Sequence, residues 1–272
     1  MSEPTTLVLG ATGTTGRRVA AELARAGHRV RPASRSGAVP FDWHDPATWP
    51  AAVEGATGLY LMAPDGVPVD PAFVDLAVRA GVRRVVLLSS AAVEEMGDQR
   101  LLGAERAVRG SGAGWTILRP NWFDQDFDEG FLRAGVLAGV VAVPVGGLRQ
   151  AFVDAGDVAA VAAAALTTDD HAGRVHELHG PEALTFDEAV ATVARVSGLR
   201  VQFDGSDEGF LDAQRAAGLP VEAAQQALPA FAALRRRGDD VPNGVVAEIT
   251  GRPPVAFGDY AAAAAARGAW SA

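Results

Sequence analysis

Residues 6 to 37 read TLVLGATGTTGRRVAAELARAGHRVRPASRSG, and the chemistry starts with the glycines. Gly10, Gly13 and Gly16 form a G-x-x-G-x-x-G array between an apolar run and a helical pattern. That order suits a phosphate-binding turn: a sharp bend at Gly10, close ligand approach at Gly13 and helix–strand contact at Gly16. Amides at the helix start then face a pyrophosphate. Thr12, Thr14 and Thr15 can add hydroxyl donors. A tight strand–helix turn without a ligand is the plainer alternative. Where a site that reads ribose hydroxyls carries an acid, about twenty residues on, the chain has Ser34-Arg35-Ser36-Gly37. A guanidinium there fits a 2′-phosphate and can stack on adenine, so NADPH is the expected cofactor. Arg17 is a candidate assistant. Asp42 suits either an adenine contact or a helix cap beside Pro46.

Other chemistries are restricted by composition. There is no cysteine, which excludes disulfides, thiolate catalysis and cysteine-ligated metals. All 24 basic residues are arginine, and the only tyrosines are Tyr60 and Tyr260. A Tyr-x-x-x-Lys pair, in which lysine lowers the tyrosine pKa for proton donation, is therefore excluded. The segment LLSSA lacks the turn of a serine nucleophile. His176 and His179 fall on opposite sides of a strand-like segment, so no metal is expected there. Catalytic residues stay unassigned. Tyr60 reads as core, and Tyr260 could face a cleft. Asp124, Asp126, Asp128 and Glu129 could stabilise a cationic substrate, with at least half of them expected in a solvated acidic loop. Trp122, Phe123 and Phe127 suit either a cation-attracting wall or helical core packing.

These residues need a scaffold, and the pattern predicts one. Strands are expected at 5–10, 28–34, 38–43, 58–64, 83–91 and 114–120, with helices between them at 15–26, 45–55, 70–80 and 101–112. Such alternation implies a Rossmann-type, doubly wound parallel α/β sheet. Past Pro120 the pattern loosens: aromatics at helical spacing, a small-residue helix at 154–168, and a strand at 174–180. Thr185 and Glu188 then open a helix with a capping box that Gly198 ends. A strand is expected at 199–203 and helices beyond 206. Arg235 to Arg237 suit a helix C-terminus. Residues 1–155 are thus expected as the dinucleotide-binding domain. Residues 156–272 form a smaller, mostly helical substrate lobe with some elements returning to the sheet.

The net charge of −9 and pI near 5.0 disfavour nucleic acid as a partner. The longest apolar stretch, AGVLAGVVAVPVGG, is too short to span a bilayer, and MSEPTT shows no signal-peptide pattern. A cytoplasmic protein without a membrane partner is expected; a homodimer stays open.

The glycine turn, Arg35, RVVLLSSAAV, the run ERAVRGSGAGWTILRPNWF, FVDAGDVAAVAAAAL and GPEALTFDE together resemble the atypical short-chain dehydrogenases/reductases of the NmrA-like group. The likeness is nearest to the ergot-alkaloid-type reductases and covers nearly the whole chain. It implies an NADP(H)-binding fold with a cleft between sheet and C-terminal lobe. By position, Gly10, Thr12, Gly13, Thr15 and Gly16 would contact pyrophosphate and Arg35 the 2′-phosphate. Ala63 and Pro64 would lie along the cofactor. Ser89 and Ser90 would form the cleft floor, with Pro120, Asn121, Trp122 and Phe123 near nicotinamide and substrate. Of these, Ser89 and Pro120 are expected on the cofactor side; Ser90, Asn121, Trp122, Phe123 and Phe127 on the substrate side.

Without a strong acid, hydride addition to an iminium is easier than to a ketone. The iminium loses its charge, whereas the ketone generates an alkoxide. The expectation is an NADPH-dependent reductase of a small, apolar or cationic organic molecule, acting on an imine, iminium or activated C=C bond. Secondary metabolism is a natural setting. The alternatives are a redox-sensing regulator that binds NADP(H) without catalysis, an NAD(P)H:quinone oxidoreductase, and a cofactor-retaining isomerase or cyclase.

Overall fold

A computed structural model describes residues 4–271. The chain opens with β1 (Thr5–Leu9), α1 (Thr14–Arg25), β2 (Arg29–Ser34) and β3 (Val39–Pro40). It continues through α2 (Trp49–Val53), β4 (Gly58–Leu61), α3 (Pro71–Arg79), β5 (Arg84–Leu88), α4 (Gln99–Arg109) and β6 (Gly114–Pro120). Then come α5 (Arg133–Ala138), β7 (Val140–Ala142), β8 (Arg149–Gln150), α6 (Ala155–Thr167) and β9 (Arg174–Leu178). The remainder is β10 (Leu184–Thr185), α7 (Phe186–Ser197), β11 (Gln202–Asp204), α8 (Asp207–Ala216), α9 (Val221–Arg237), α10 (Val245–Thr250) and α11 (Phe257–Ala266).

Seven strands form one sheet in the order β3-β2-β1-β4-β5-β6-β9, every pair parallel. The strand residues alternate between two cores, as a two-residue period requires. Leu7, Leu59, Val85 and Ile117 meet α2, α3 and α4 on one face. Val8, Tyr60, Val86 and Leu118 meet α1 and α6 on the other. The alanines of α6 let it lie close to α1. The strand order reverses direction between β1 and β4, and ligands bind at the carboxyl edge of such a switch point.

Residues beyond Pro120 build a third core from Phe127, Phe152, Phe186, Phe257, Tyr260 and Trp270. Two small sheets flank it: β8 antiparallel to β10, and β7 parallel to β11. Among the described residues, no helix is long and apolar enough to cross a membrane.

Two elements depart from the expected pattern for local reasons. The strand expected at 38–43 shortens to β3. Pro40 has no amide to donate, and the Asp42 carboxylate accepts the His44 amide at 2.9 Å, turning the chain. Asp45 rather than Asp42 caps the turn beside Pro46, through the Ala47 amide at 3.1 Å. The aromatic run after Pro120 forms a single 3₁₀ turn at Asp124–Phe127 followed by the short α5. There the Asp126 carboxylate takes the Phe123 amide at 3.1 Å, and Gly130 separates the two pieces.

Candidate functional site

The glycine turn has the construction its sequence requires. Gly10 has φ +61°, a left-handed conformation in which a side chain would also collide with the Met62 sulfur. A Cβ at Gly16 would stand 2.6 Å from the Gly10 carbonyl carbon, so only glycine lets α1 pack against β1. The Gly13 amide closes the turn onto the Gly10 carbonyl at 2.8 Å. Gly13 is the N-cap of α1 and supplies no capping side chain, so the first-turn amides keep their donors for a ligand. Thr12 is exposed and Thr14 half-buried. Thr15 is 4% exposed beside Tyr60, so it offers a ligand its amide rather than its hydroxyl.

Arg35 follows β2 directly, exposed and without a side-chain hydrogen bond or ion pair among the described residues. Beside it, the buried Ser34 hydroxyl also lacks a partner. Arg17 is committed elsewhere. With Arg18 it grips Glu129, tying α1 to the stretch after β6.

A cavity of about 330 Å³ opens at the carboxyl ends of β4, β5 and β6. Ala63, Ser89, Ser90 and Pro120 form its sheet side, and Trp122, Phe123 and Phe131 its aromatic wall. Phe131 is 60% exposed, an apolar ring held open to solvent. The opposite side comes from α9 and its exit: Leu234, Arg237 and Asp240. Ala92 at the floor has φ 53°, a costly backbone state for a residue with a side chain. The Ser89 and Ala91 amides bond the carbonyls of Leu118 and Pro120, fixing this loop to β6.

Several cleft side chains are already committed. Asn121 donates to Asp240 at 2.6 Å and accepts from the Trp122 amide at 2.7 Å. Trp122 donates its indole N–H to Gln150 at 2.9 Å and stacks on Phe231 at 6.5 Å. Ser90 donates to the Ala91 carbonyl at 3.1 Å. Ser89 donates to Glu105 at 2.7 Å. Pro64 lies on an exposed turn outside the cavity wall. Phe127, expected to meet substrate, is 0% exposed within the third core. Its ring packs on Phe152 and Phe257 because the 3₁₀ turn points it inward.

The acidic stretch is no solvated loop, contrary to expectation. Asp124 is 0% exposed with neither carboxyl oxygen hydrogen-bonded; burial, then Asp154 and Asp157, push it well above the usual carboxylate range. Asp128 accepts from the Tyr260 hydroxyl at 2.7 Å and from Arg267 at 3.0 Å. Glu129 is held by Arg17 and Arg18. Only Asp126 of the four lines the cavity. Burial, reinforced by Asp65, pushes its carboxyl up to about 7 against the Phe123 amide bond. Both tyrosines are withdrawn: Tyr60 is 0% exposed inside the sheet, and Tyr260 is 4% exposed and bound to Asp128. His179 is also structural, its Nδ1–H donating to the Val241 carbonyl at 2.7 Å.

Sequence reasoning missed Glu105, Arg237 and Asp240. Glu105 lies on α4 and reaches Ser89 only because α4 packs behind β5 and β6. Asp240 meets Asn121 across 119 residues. Nothing local in the sequence signals either pairing.

The NAD(P)H-binding family profile matches residues 10–169. Over 279 residues the chain is 36% identical to a (4-alkanoyl-5-oxo-2,5-dihydrofuran-3-yl)methyl phosphate reductase of Streptomyces griseus, covering 94% of this chain and 96% of that one. It is 34% identical over 281 residues to the uncharacterized oxidoreductase YesF of Bacillus subtilis, covering 98% and 97%. Festuclavine synthase I of Penicillium roqueforti is 30% identical over 283 residues, covering 94% and 97%. An NADPH-dependent quinone oxidoreductase of Escherichia coli, solved with NADPH, shares the fold at a TM-score of 0.79 and 22% identity, over 95% and 99% of the two chains. The chain belongs to the NAD(P)H-binding family and is an oxidoreductase of the atypical short-chain dehydrogenase/reductase type, close to the ergot-alkaloid reductases and sharing the fold of NmrA.

Proposed function

We propose that this chain is an NADPH-dependent reductase that delivers hydride to a small organic substrate in the cleft beside Trp122 and Phe123. The bond reduced is C=N of an imine or iminium, or an activated C=C. The observation that carries this reading is the cleft's ionisable inventory. Both tyrosines are buried elsewhere, lysine is absent, the lining arginines Arg100 and Arg237 are paired with Asp98 and Asp240, and the carboxyl of Asp126 stands with an aromatic wall. Such a surface favours a cation and offers no phenol for an alkoxide.

The residues present fit the dinucleotide. The turn at Gly10 and the free first-turn amides of α1 suit a pyrophosphate, reached also by Thr12 and Thr14. Arg35, unpaired beside the orphaned Ser34 hydroxyl, suits the 2′-phosphate. Ala63, Ser89 and Pro120 border the space for the nicotinamide end. When bound, the dinucleotide supplies the hydride. The protein orients the substrate against that face, excludes water with Trp122, Phe123 and Phe131, and balances positive charge with Asp126. A cationic C=N carbon that accepts hydride becomes a neutral amine and needs no proton donor, whereas a neutral imine or an activated C=C bond takes up one further proton, which solvent supplies. Relatives named as a dihydrofuran phosphate reductase and a festuclavine synthase are consistent with small cyclic substrates.

The test is NADPH oxidation with a panel of cyclic iminium ions, enones and quinones. Turnover of iminium ions or enones supports the assignment. Turnover of quinones alone, or tight NADPH binding with no turnover on any compound, overturns it.

A further inference from the structure

Ser89 is the one hydroxyl at the cleft floor joined to a buried carboxylate, and that junction dictates which partner it can take. Its Oγ lies 2.7 Å from Glu105 Oε1. Glu105 is 3% exposed, and burial alone would favour its neutral form. Arg119 prevails: its Nε reaches Oε1 at 2.9 Å and its Nη2 reaches Oε2 at 2.8 Å. Arg109 adds a longer bond to Oε2 at 3.4 Å, and Glu94 binds the outer side of Arg119 at 2.8 Å. A carboxylate forked by a guanidinium is ionised and carries no proton to give. Ser89 must therefore donate its single hydrogen to Glu105, leaving only lone pairs for the cavity.

We propose that Ser89 is an acceptor-only group that recognises an N–H donor on the bound molecule, with Glu105 and Arg119 as the residues that position it. The inference rests on the reading of this cavity as the site of hydride transfer. It adds the hydrogen-bonding class of the ligand. A hydroxyl so fixed cannot protonate a substrate or hold an oxyanion. It can accept from the N–H of an iminium or from the N–H of a carboxamide. The other cleft hydroxyl, Ser90, is likewise spent on a carbonyl. Asn121 gives one of its two amide hydrogens to Asp240. Both hydroxyls of the floor thus face a ligand as acceptors.

Two arms distinguish the sources of the N–H. In the first, calorimetry measures binding of NADPH and of its 3-acetylpyridine analogue, which lacks the carboxamide N–H, to wild type and to Ser89→Ala. In the second, steady-state kinetics compare a cyclic N–H iminium with its N-methyl counterpart. Wild type should prefer the N–H partner on the order of three- to tenfold in the arm that supplies the donor. Ser89→Ala should bring that ratio toward one, and Ser89→Thr should restore part of it. Glu105→Gln, checked for folding by circular dichroism, should also lower the ratio, because a neutral amide lets Ser89 reorient. Ser89→Ala alone suffices if that variant does not fold. A ratio unchanged by Ser89→Ala in both arms overturns the inference, as does a wild-type preference for the partner lacking N–H. If neither iminium ions nor enones turn over, the reductase reading fails, while the calorimetric arm still decides the role of Ser89.

Discussion

Replacing Asp126 with Asn isolates the carboxyl that faces the aromatic wall. Its Oδ2 takes the Phe123 amide at 3.1 Å, and burial with Asp65 opposite pushes it up to about 7. A permanently charged N-alkyl iminium binds beside the ionised form only. With a pKa of about 7, roughly one carboxyl in eleven is ionised at pH 6 and about ten in eleven at pH 8. Apparent affinity scales with the competent fraction. The KM for such a cation should therefore fall about tenfold as pH rises from 6 to 8, with kcat changing far less. The sign follows from the raised pKa: the neutral form prevails below the window and the anion above it. A neutral enone should gain nothing across the same range. In Asp126→Asn the cation's KM should be flat with pH. At pH 8 it should exceed wild type by about tenfold or more, because the variant loses a partly desolvated ion pair worth on the order of a few kcal/mol. The assay is initial-rate NADPH oxidation at saturating NADPH, with folding checked by circular dichroism. A wild-type KM indifferent to pH, or an Asn variant that keeps the tenfold fall, would refute the role given to Asp126.

Three further expectations concern the cofactor turn and the buried acid. Arg35→Ala should weaken NADPH binding by about 1.5–3 kcal/mol, toward the lower end given its exposure, and leave NADH affinity nearly unchanged; parallel calorimetric titrations check the ratio. Gly13→Val should abolish NADPH binding while the melting curve stays cooperative, because a Cβ there meets only the Gly10 carbonyl oxygen at 3.3 Å and so leaves the fold in place while filling the turn proposed to take the pyrophosphate. Asp124→Asn should flatten the pH dependence of stability. Asp124 stays protonated in the fold while the unfolded chain ionises above about pH 4, so wild type loses up to about 1.4 kcal/mol per pH unit until the folded pKa is passed. Denaturant midpoints for both proteins between pH 5 and 8 check it.

The sheet was legible in the sequence because its signals are local. Continuous apolar runs such as VVLL in RRVVLLSSA mark a strand buried on both faces, Gly10 and Gly16 mark a turn no other residue fits, and Thr185 with Glu188 forms the capping box its spacing announces. The acidic stretch was not legible. Asp124, Asp126, Asp128 and Glu129 lie within six residues, yet one is buried without a hydrogen bond, one lines the cleft and two hold arginines on distant helices. Those fates depend on α1 and α11 arriving from elsewhere in the chain. The short strands β7, β8 and β10 escaped notice because two or three residues carry no readable period. Phe127 had the aromatic spacing of a ligand wall, and only the 3₁₀ turn decides that it faces the core.

Label transfer tests the central claim most directly. Wild-type protein is incubated with NADPH deuterated at nicotinamide C4, on either face, and a cyclic iminium, and the amine product is read by mass spectrometry and NMR. Deuterium at the former C=N carbon, from one face of the cofactor only, is the expected result. Product without deuterium from either face, or bound NADPH with no product from the iminium or from an enone run in parallel, would contradict hydride delivery in this cleft.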